Sequence, residues 1–414
     1  MAKPSSTTSP GSTLRNSLPL AVVVLGVVSL LTDLSSEMIY PLLPLYLSTV
    51  LGAGAVSLGV IEGVAESTAA LLKVVSGVRS DITRRRKPLV AVGYTLSNLV
   101  RPLIGLATVW PMVLVLRFAD RVGKGLRTSP RDALIADVTD ESIRGRAYGL
   151  HRSMDHAGAV LGPLAAMALL SLESATLQHV FLASAIPGAL VIVTVLLAVR
   201  EPPQVGGAAP GAEPSRSAHD PTATSRWAEL GPGYRRFLLA LVVFTLGNSS
   251  DAFLLLQLSR EGFSAVWITG LWSAFHVVKM VSAYGAGRLS DRVGRRGLML
   301  TGWAIYAAVY AGFAVGTGRE TLIVLFLVYG LYYGCTEPVE RAWVSSLAPG
   351  DVRGTAFGAY HGAIGIAALP ASVLFGMVLD RFGAAPAFFT GAGLALVAAL
   401  ILLRVPEAGA TPAT

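Results

Sequence analysis

Basic residues recur within an apolar stretch of this chain, where they could bind an anionic solute. The stretch is RFADRVGKGLRTSPRDALIAD, at positions 117–137. At about 100° per residue along a helix, one stripe would hold Arg117, Arg121, Lys124 and Arg131. Arg127 lies beside it. A charge facing the bilayer centre costs roughly 2.5–3.5 kcal/mol on insertion scales, so the stripe must face water, a carboxylate or a substrate.

Acidic residues that could balance this stripe lie in neighbouring apolar segments of the chain. Charges at membrane depth are tolerated when they pair with one another across a shared wet cavity. The sequence therefore predicts a substrate cavity that contains Glu62, Glu66, Arg117, Arg121, Lys124, Arg127, Arg131, Arg152 and Asp155. The second half of the chain has fewer charges, and we expect it to supply an opposing aromatic wall, including Trp272, Tyr332, Tyr333 and Trp343.

Asp33 and Glu37 are the residues that we expect to carry protons. They lie one helical turn apart, with Tyr40 on the same face and with Pro41 and Pro44 following, so the helix should bend there. Burial disfavours the charged form of a carboxylate, as does a neighbouring carboxylate, whereas a nearby Arg favours it. A substrate that moves a cation could therefore capture or release a proton at this pair.

The composition indicates that these segments cross a membrane. Of the 414 residues, 53% are hydrophobic and only 14% are charged, whereas a soluble domain averages about 25% charged. Twelve stretches approach or exceed the roughly 20 residues that a membrane-spanning helix needs. A net charge of +8 fits basic cytoplasmic loops better than nucleic-acid binding. The single cysteine, Cys335, excludes an intramolecular disulfide and paired-cysteine metal sites, and we expect no metal and no cofactor.

The chain divides into two similar halves. We predict a disordered tail at residues 1–17, a six-helix bundle at 18–200, a flexible linker at 201–232, a second six-helix bundle at 233–404 and a tail at 405–414. The predicted fold is therefore an all-α membrane protein of twelve transmembrane helices in two pseudo-symmetric bundles. Lys and Arg are concentrated in alternate loops, which by the positive-inside rule places both termini in the cytoplasm.

Two sequence repeats support this division. GVRSDITRRR at 77–86 is matched by GRLSDRVGRR at 287–296, and IRGRAYGLH at 143–151 is matched by VRGTAFGAY at 352–360. The copies lie about 210 positions apart, which indicates duplication of a six-span unit.

On these motifs the whole chain resembles a transporter of the major facilitator superfamily (MFS). Segment 287–296 matches the family's loop signature Gly-x-x-x-Asp-Arg-x-Gly-Arg-Arg, whereas segment 77–86 has Ile82 and Arg84 in place of its Arg and Gly. In the family, the Asp caps a span of the other half and the Arg reaches an acid at the end of span four. The resemblance implies a cytoplasmic gate formed by Gly77, Asp81, Arg85, Asp137, Gly287, Asp291, Arg292 and Arg295. The alternative is that these Arg residues only determine topology.

Another motif that resembles the family lies in span five, and it concerns the direction of transport. Gly149, Gly158 and the pair Gly162-Pro163 have the spacing of the antiporter motif of MFS exporters, with Ala166-Met167 in place of its final Gly-Gly. Small residues at these intervals also suit close helix packing in general, which is the alternative interpretation.

The resemblance implies a secondary active transporter in the cytoplasmic membrane that works by alternating access. The basic stripe favours a small anionic or zwitterionic solute, and the motifs favour proton-coupled export. Proton-coupled multidrug efflux, uptake of an organic solute and lipid flipping on the same fold are the alternatives. The expected partners are the lipid bilayer, the solute and protons, without nucleic acid, and we expect a monomer. An enzyme is not expected, because Gly123-Lys124-Gly125 lacks the spacing of a phosphate-binding loop.

Overall fold

The computed structural model of the protein shows helices throughout its described part and no strand there. It describes residues 18–83, 85–139, 144–199, 230–316, 318–347 and 353–405. The predicted N-terminal tail, nearly all of the predicted linker and nearly all of the C-terminal tail lie outside these ranges.

The first six spans form the N-terminal half. Their helices are Leu20–Ile39, Ala55–Thr83, Lys87–Val100, Trp110–Asp137, Arg144–Leu170, and the consecutive pair Leu177–Ala183 and Ala185–Ala198, which together make span six. Span one continues beyond Ile39 as a 3₁₀ turn at Tyr40–Leu42, a single α-helical turn and a π-helical turn at Tyr46–Val50. The irregular part begins at Tyr40, immediately before Pro41, as the two prolines predict, because each proline removes a backbone donor.

Spans seven to twelve form the C-terminal half. Their helices are Pro232–Gly247 and Ala252–Arg260, which together make span seven, then Ala265–Val293, Arg295–Val315, Arg319–Leu347, Arg353–Phe382 and Ala384–Leu402. Span seven is interrupted at residues 248–251. The sequence analysis did not predict this interruption, since no proline or glycine follows Gly247 there.

Eleven helical segments of the described chain are long and apolar enough to cross a membrane. The remaining predicted span is the 28-residue helix Trp110–Asp137, which has the length but carries the charges of the basic stripe. With this helix included, the described ranges contain the twelve predicted spans. The predicted all-α fold is therefore confirmed.

The two halves pack closely along spans two and eleven. A Cβ atom added to Gly63 would lie 2.8 Å from the Cα of Leu369, and one added to Gly376 would lie 2.6 Å from the carbonyl oxygen of Ala55. Such short separations require glycine, which lets two helix backbones approach each other. Span two and span eleven therefore form a tight seam between the halves.

Asp380 reinforces this seam at the end where span two begins. Its carboxylate accepts hydrogen bonds from the backbone N–H groups of Ala55 at 3.0 Å and Val56 at 2.9 Å, at the start of span two. Arg260 lies 3.7 Å from the same carboxylate. A carboxylate at a helix N-terminus stabilises the unpaired N–H groups there, so a side chain of one half caps a helix of the other.

The seam does not continue to the opposite end of span eleven. Near the start of that span, no other part of the described chain lies within 4 Å of a Cβ atom added to Gly358 or Gly362. The halves are thus in contact at the end that contains Asp380, and they diverge at the end where the basic loops are.

Replacing Gly376 with Ala should destabilise the protein, because the new methyl group would push against the backbone of span two. We expect a free-energy cost of about 1–3 kcal/mol, typical of overpacking, seen as a lower midpoint of thermal unfolding in detergent.

Gly393→Ala is the matched control. Gly393 lies in the helix Ala384–Leu402 with open space around its Cβ position, so the higher helix propensity of Ala should leave the midpoint unchanged or raise it. Equal midpoints for the two variants would contradict the close seam.

Candidate functional site

A cavity of about 610 Å³ lies between the two halves, within the roughly 300–1,000 Å³ typical of small-molecule sites. The two halves meet across this cavity where the Tyr40 hydroxyl lies 3.3 Å from the Ser250 hydroxyl. Toward one end of the cavity the lining becomes exposed: the side chains of Arg152 and Arg341 are 54% and 46% accessible. The cavity therefore opens toward the basic loops.

Charged side chains from both halves line this cavity. The basic residues are Lys73, Arg101, Arg117, Arg121, Lys124, Arg127 and Arg152 from the N-terminal half, and Lys279 and Arg341 from the C-terminal half. The acidic residues are Asp33, Glu37, Glu66, Asp120 and Asp155 from the N-terminal half, and Asp251, Glu337 and Glu340 from the C-terminal half. Fully ionised, the N-terminal wall has two more bases than acids, and the C-terminal wall has one more acid than bases.

Asp120 is the centre of the ion-pair network on the N-terminal wall. Its carboxylate lies 2.8 Å from Arg101, 3.7 Å from Arg117 and 4.0 Å from Arg121, and its side chain is 2% exposed. The predicted site omitted Asp120 and Arg101. The sequence does contain a signal for Asp120, which lies three residues after Arg117 and therefore within the same helical stripe.

Glu62 supports this wall without lining the cavity. Its carboxylate accepts a 2.6 Å hydrogen bond from Arg117, and both side chains are almost completely buried. The structure thus places Glu62 behind the wall and not in the predicted cavity lining, because Arg117 holds it there.

The remaining members of the basic stripe have different partners. Arg121 lies 3.4 Å from Glu66, whose side chain is half exposed to the cavity. Arg127 donates to the Ser97 hydroxyl at 2.8 Å and lies over the ring of Tyr94. Both arginines line the cavity as predicted, and both are held in place by neighbouring spans.

Arg131 departs from the predicted site. It follows Pro130 in the helix, and its guanidinium donates to the carboxylate of Asp132 at 2.8 Å and 2.9 Å. It is absent from the cavity lining. Helical periodicity put Arg131 on the stripe, but its neighbour in sequence binds it beyond the cavity.

Lys124 and Asp33, like Lys73 of this wall, make no ion pair and no side-chain hydrogen bond in the described chain. Both Lys124 and Asp33 line the cavity, and the two interact electrostatically. An ammonium group and a carboxylate that face water without a fixed partner can bind a solute or exchange a proton.

Two further acids of the N-terminal wall have polar partners. Asp155 accepts a short hydrogen bond from Ser29, and Arg152 lies 3.6 Å from it. Glu37 accepts a 2.8 Å hydrogen bond from the Trp272 indole N–H, which crosses from one half to the other. Glu37 is thus placed where relative motion of the halves would change its hydrogen bonding.

The C-terminal wall is aromatic, as expected, and holds Asp251. The hydroxyls of Tyr329 and Tyr333 donate to the Asp251 carboxylate at 2.7 Å and 2.9 Å. Trp272, Tyr332 and Tyr333 line the cavity. Trp343, which the sequence analysis grouped with them, is fully buried in the hydrophobic core instead.

The glycines of the antiporter-like motif determine how span five packs on span one. A Cβ atom added to Gly158 would lie 3.0 Å from the Asp33 Cβ, and one added to Gly162 would lie 2.8 Å from the Glu37 Cβ. Pro163 lies within the same helix, and the surroundings of Gly149 are outside the description. Gly158 and Gly162 thus set the position of the two acids expected to carry protons.

The predicted cytoplasmic gate is described in part. Asp137 forms an ion pair with Arg86 at 2.8 Å, whereas the gate was predicted to use the preceding residue, Arg85, whose backbone N–H donates to the Thr83 hydroxyl. A Cβ atom added to Gly77 would lie 3.4 Å from the Ser129 Cβ. Arg295 begins the helix of span nine. The surroundings of the other gate residues lie outside the description: Asp81, Gly287, Asp291 and Arg292.

Within the described ranges, no group of three or more His, Cys, Asp or Glu side chains is arranged to hold a metal ion.

Comparisons with known sequences identify the family. A model of the Major Facilitator Superfamily matches residues 25–369 and, in a second match, residues 267–413. An uncharacterised MFS-type transporter of Methanocaldococcus jannaschii is 31% identical over 390 residues, which cover 93% of this chain and 94% of that protein. A tetracenomycin C resistance and export protein of Streptomyces glaucescens is 25% identical over 206 residues, which cover 48% of this chain and 38% of that protein.

Solved structures show the same fold. A bacterial homologue of the human lysosomal transporter Spinster is similar with a TM-score of 0.73 at 15% identity, over 93% of this chain and 94% of that one. A D-xylose–proton symporter is similar with a TM-score of 0.74 at 16% identity, over 95% and 99% of the two chains. The chain therefore belongs to the Major Facilitator Superfamily, as a multi-pass membrane protein that transports a substrate.

Proposed function

We propose that this protein is a proton-coupled secondary transporter that exports a small anionic or zwitterionic solute across the cytoplasmic membrane by alternating access. One observation carries the proposal: Lys124 and Asp33 face the cavity between the halves without a fixed partner in the described chain. A bound anion could compensate Lys124, and a proton could neutralise Asp33.

The geometry of the two ends supports alternating access. The halves touch at Asp380 and along the Gly376 seam, and they diverge around Gly358. With both termini in the cytoplasm, as the basic loops predict, the open end faces the cytoplasm. A solute would then enter from inside. Export requires that the seam opens while the basic-loop end closes through the predicted gate.

The charge balance of the cavity supports an anionic group on the solute. Asp120, Glu62 and Glu66 lie at ion-pair distance from Arg117 or Arg121 of the stripe, whereas the Lys124 ammonium has no such partner in the described chain. An ammonium group binds carboxylate or phosphate oxygens as a point charge with three N–H donors.

Packing around Asp33 supports its assignment to the proton. Asp33 lies against Gly158 of span five, in the motif that resembles exporters. The Streptomyces relative, described as a resistance and export protein, agrees with the outward direction. Binding of a solute anion at Lys124 would withdraw a positive charge from Asp33 and favour its protonation. Solute and proton would thereby be linked through two neighbouring side chains.

Asp33→Asn should uncouple transport from the pH gradient. The amide resembles a permanently protonated carboxyl group, so solute–solute exchange should continue while a pH gradient no longer drives net flux. The assay is reconstitution in liposomes, with a solute first identified by its thermal stabilisation of the purified protein.

Asp132→Asn serves as the control for this experiment, because Asp132 pairs with Arg131 beyond the cavity. It should retain coupling. Full gradient-driven flux in the Asp33 variant would refute the assignment of the proton to that residue.

Lys124→Gln should weaken binding of the solute at least about tenfold, the loss expected for a hydrogen bond to a charged group. Affinity is measured with the purified protein by isothermal titration calorimetry.

Arg341→Gln is the comparison for Lys124, since Arg341 lies at the rim of the cavity and already pairs with Glu337. The affinity of the Arg341 variant for the solute should change little. An unchanged affinity in the Lys124 variant, or preferential binding of cations by the native protein, would contradict the anionic substrate class.

A further inference from the structure

The interruption of span seven brings polar groups to the cavity. The helix Pro232–Gly247 ends, Asn248 leaves helical geometry with a φ of −89° and a ψ of 83°, and the helix resumes at Ala252. Asn248, Ser249, Ser250 and Asp251 all line the cavity. A broken helix at membrane depth is tolerated where its backbone is buried in protein or lines water, and such breaks are where transporters build binding sites.

Asp251, at the end of this break, is a carboxyl group without a fixed counter-ion, and its burial disfavours the charged form. Tyr329 and Tyr333 donate hydrogen bonds to its carboxylate, and it begins the helix Ala252–Arg260. Hydroxyl donors and a helix N-terminus both favour the ionised form. No cation of the described chain lies within ion-pair distance, because Lys279 forms its ion pair with Glu337 at 3.5 Å.

Asn248, at the start of the break, has an acceptor without a donor. Its side-chain N–H group donates to the Tyr332 hydroxyl at 3.0 Å. Its Oδ1 atom is buried and has no hydrogen-bond partner. A buried acceptor without a partner is unfavourable, and Asn248 itself lines the cavity.

The surroundings of these two residues favour a cation. The helix Pro232–Gly247 ends here, and the C-terminus of a helix carries partial negative charge. The rings of Tyr329, Tyr332 and Tyr333 pack together at centroid distances of 4.7–5.6 Å, and the Lys279 ammonium already lies 3.9 Å from the centroid of Tyr333. Aromatic faces attract ammonium groups.

We propose that the break in span seven is a binding subsite for a primary ammonium group of the substrate, and that the substrate is a zwitterion. Its ammonium group donates to Asp251 and to the Asn248 Oδ1 atom, and its acidic group binds Lys124 on the opposite wall. A primary ammonium group has the three donors and the positive charge that these acceptors require. This assignment rests on the proposed transport of an anionic or zwitterionic solute, and it selects the zwitterionic class.

Matched sets of ligands test the proposal on the purified full-length protein. Each set has one carbon skeleton in three charge forms, for example tyrosine, tyramine and 3-(4-hydroxyphenyl)propionate, with corresponding sets built on other amino acids. In at least one set, the zwitterion should bind at least about tenfold more tightly than its amine and its acid, measured by calorimetry. If no zwitterion exceeds both counterparts, the proposal is wrong.

Asp251→Asn then locates the ammonium subsite. This variant should lose the advantage of the zwitterion over the acid, while its affinity for the acid and its thermal stability stay close to the native values. Glu340→Gln is the matched control, because Glu340 also accepts a tyrosine hydroxyl, that of Tyr360, but lies outside the break. An effect confined to the Glu340 variant would overturn the assignment to Asp251.

The remaining outcomes separate this proposal from the proposed function. If acids and zwitterions bind equally and both need Lys124, the anion site stands and the ammonium subsite is refuted. If neither class needs Lys124, the proposed function itself is refuted. Stabilisation by Na⁺ alone that disappears in the Asp251 variant would assign the break to a metal cation and overturn the ammonium subsite.

Discussion

A charged group at membrane depth must be neutralised by a partner or remain in contact with water, and the interior of this transporter follows from that constraint. Asp120 contributes to this neutralisation for three arginines, those at positions 101, 117 and 121. Glu62 compensates Arg117 from behind the wall. Through these contacts span four, which is too charged to cross a bilayer alone, is joined to spans two and three. The ionic network is thus a condition of the fold as well as part of the cavity wall.

The same network separates structural charges from those available to a ligand. An arginine held by a buried carboxylate at 2.6–2.8 Å would lose a strong charge-assisted hydrogen bond if it turned to a solute. Lys124, Asp33 and Asp251 have no such fixed counter-ion in the described chain, so a ligand or a proton reaches them at lower cost. The chemically available groups are therefore fewer than the charged groups that line the cavity.

Irregular backbone and close packing place these groups. Span one loses α-helical geometry at Tyr40, and span seven is interrupted after Gly247, so both halves have an irregular span beside the cavity. Gly158 and Gly162 let span five approach the segment of span one that carries Asp33 and Glu37. Motion of one half against the other would change the contact between Glu37 and Trp272, which connects conformation to the charge of the cavity.

The sequence by itself determined the membrane class, the twelve spans, the duplicated halves and most of the charged residues of the cavity, because hydropathy and intramembrane charge are local properties of the chain. Helical periodicity could not assign partners. It placed Arg131 with the stripe, although Asp132 binds it elsewhere, and it could not show that Asp120 of the same stripe pairs with three arginines. Only the tertiary structure decided which charges are paired and where span seven breaks, because ion pairs and an orphaned acceptor such as the Asn248 Oδ1 atom depend on side chains brought together from distant spans.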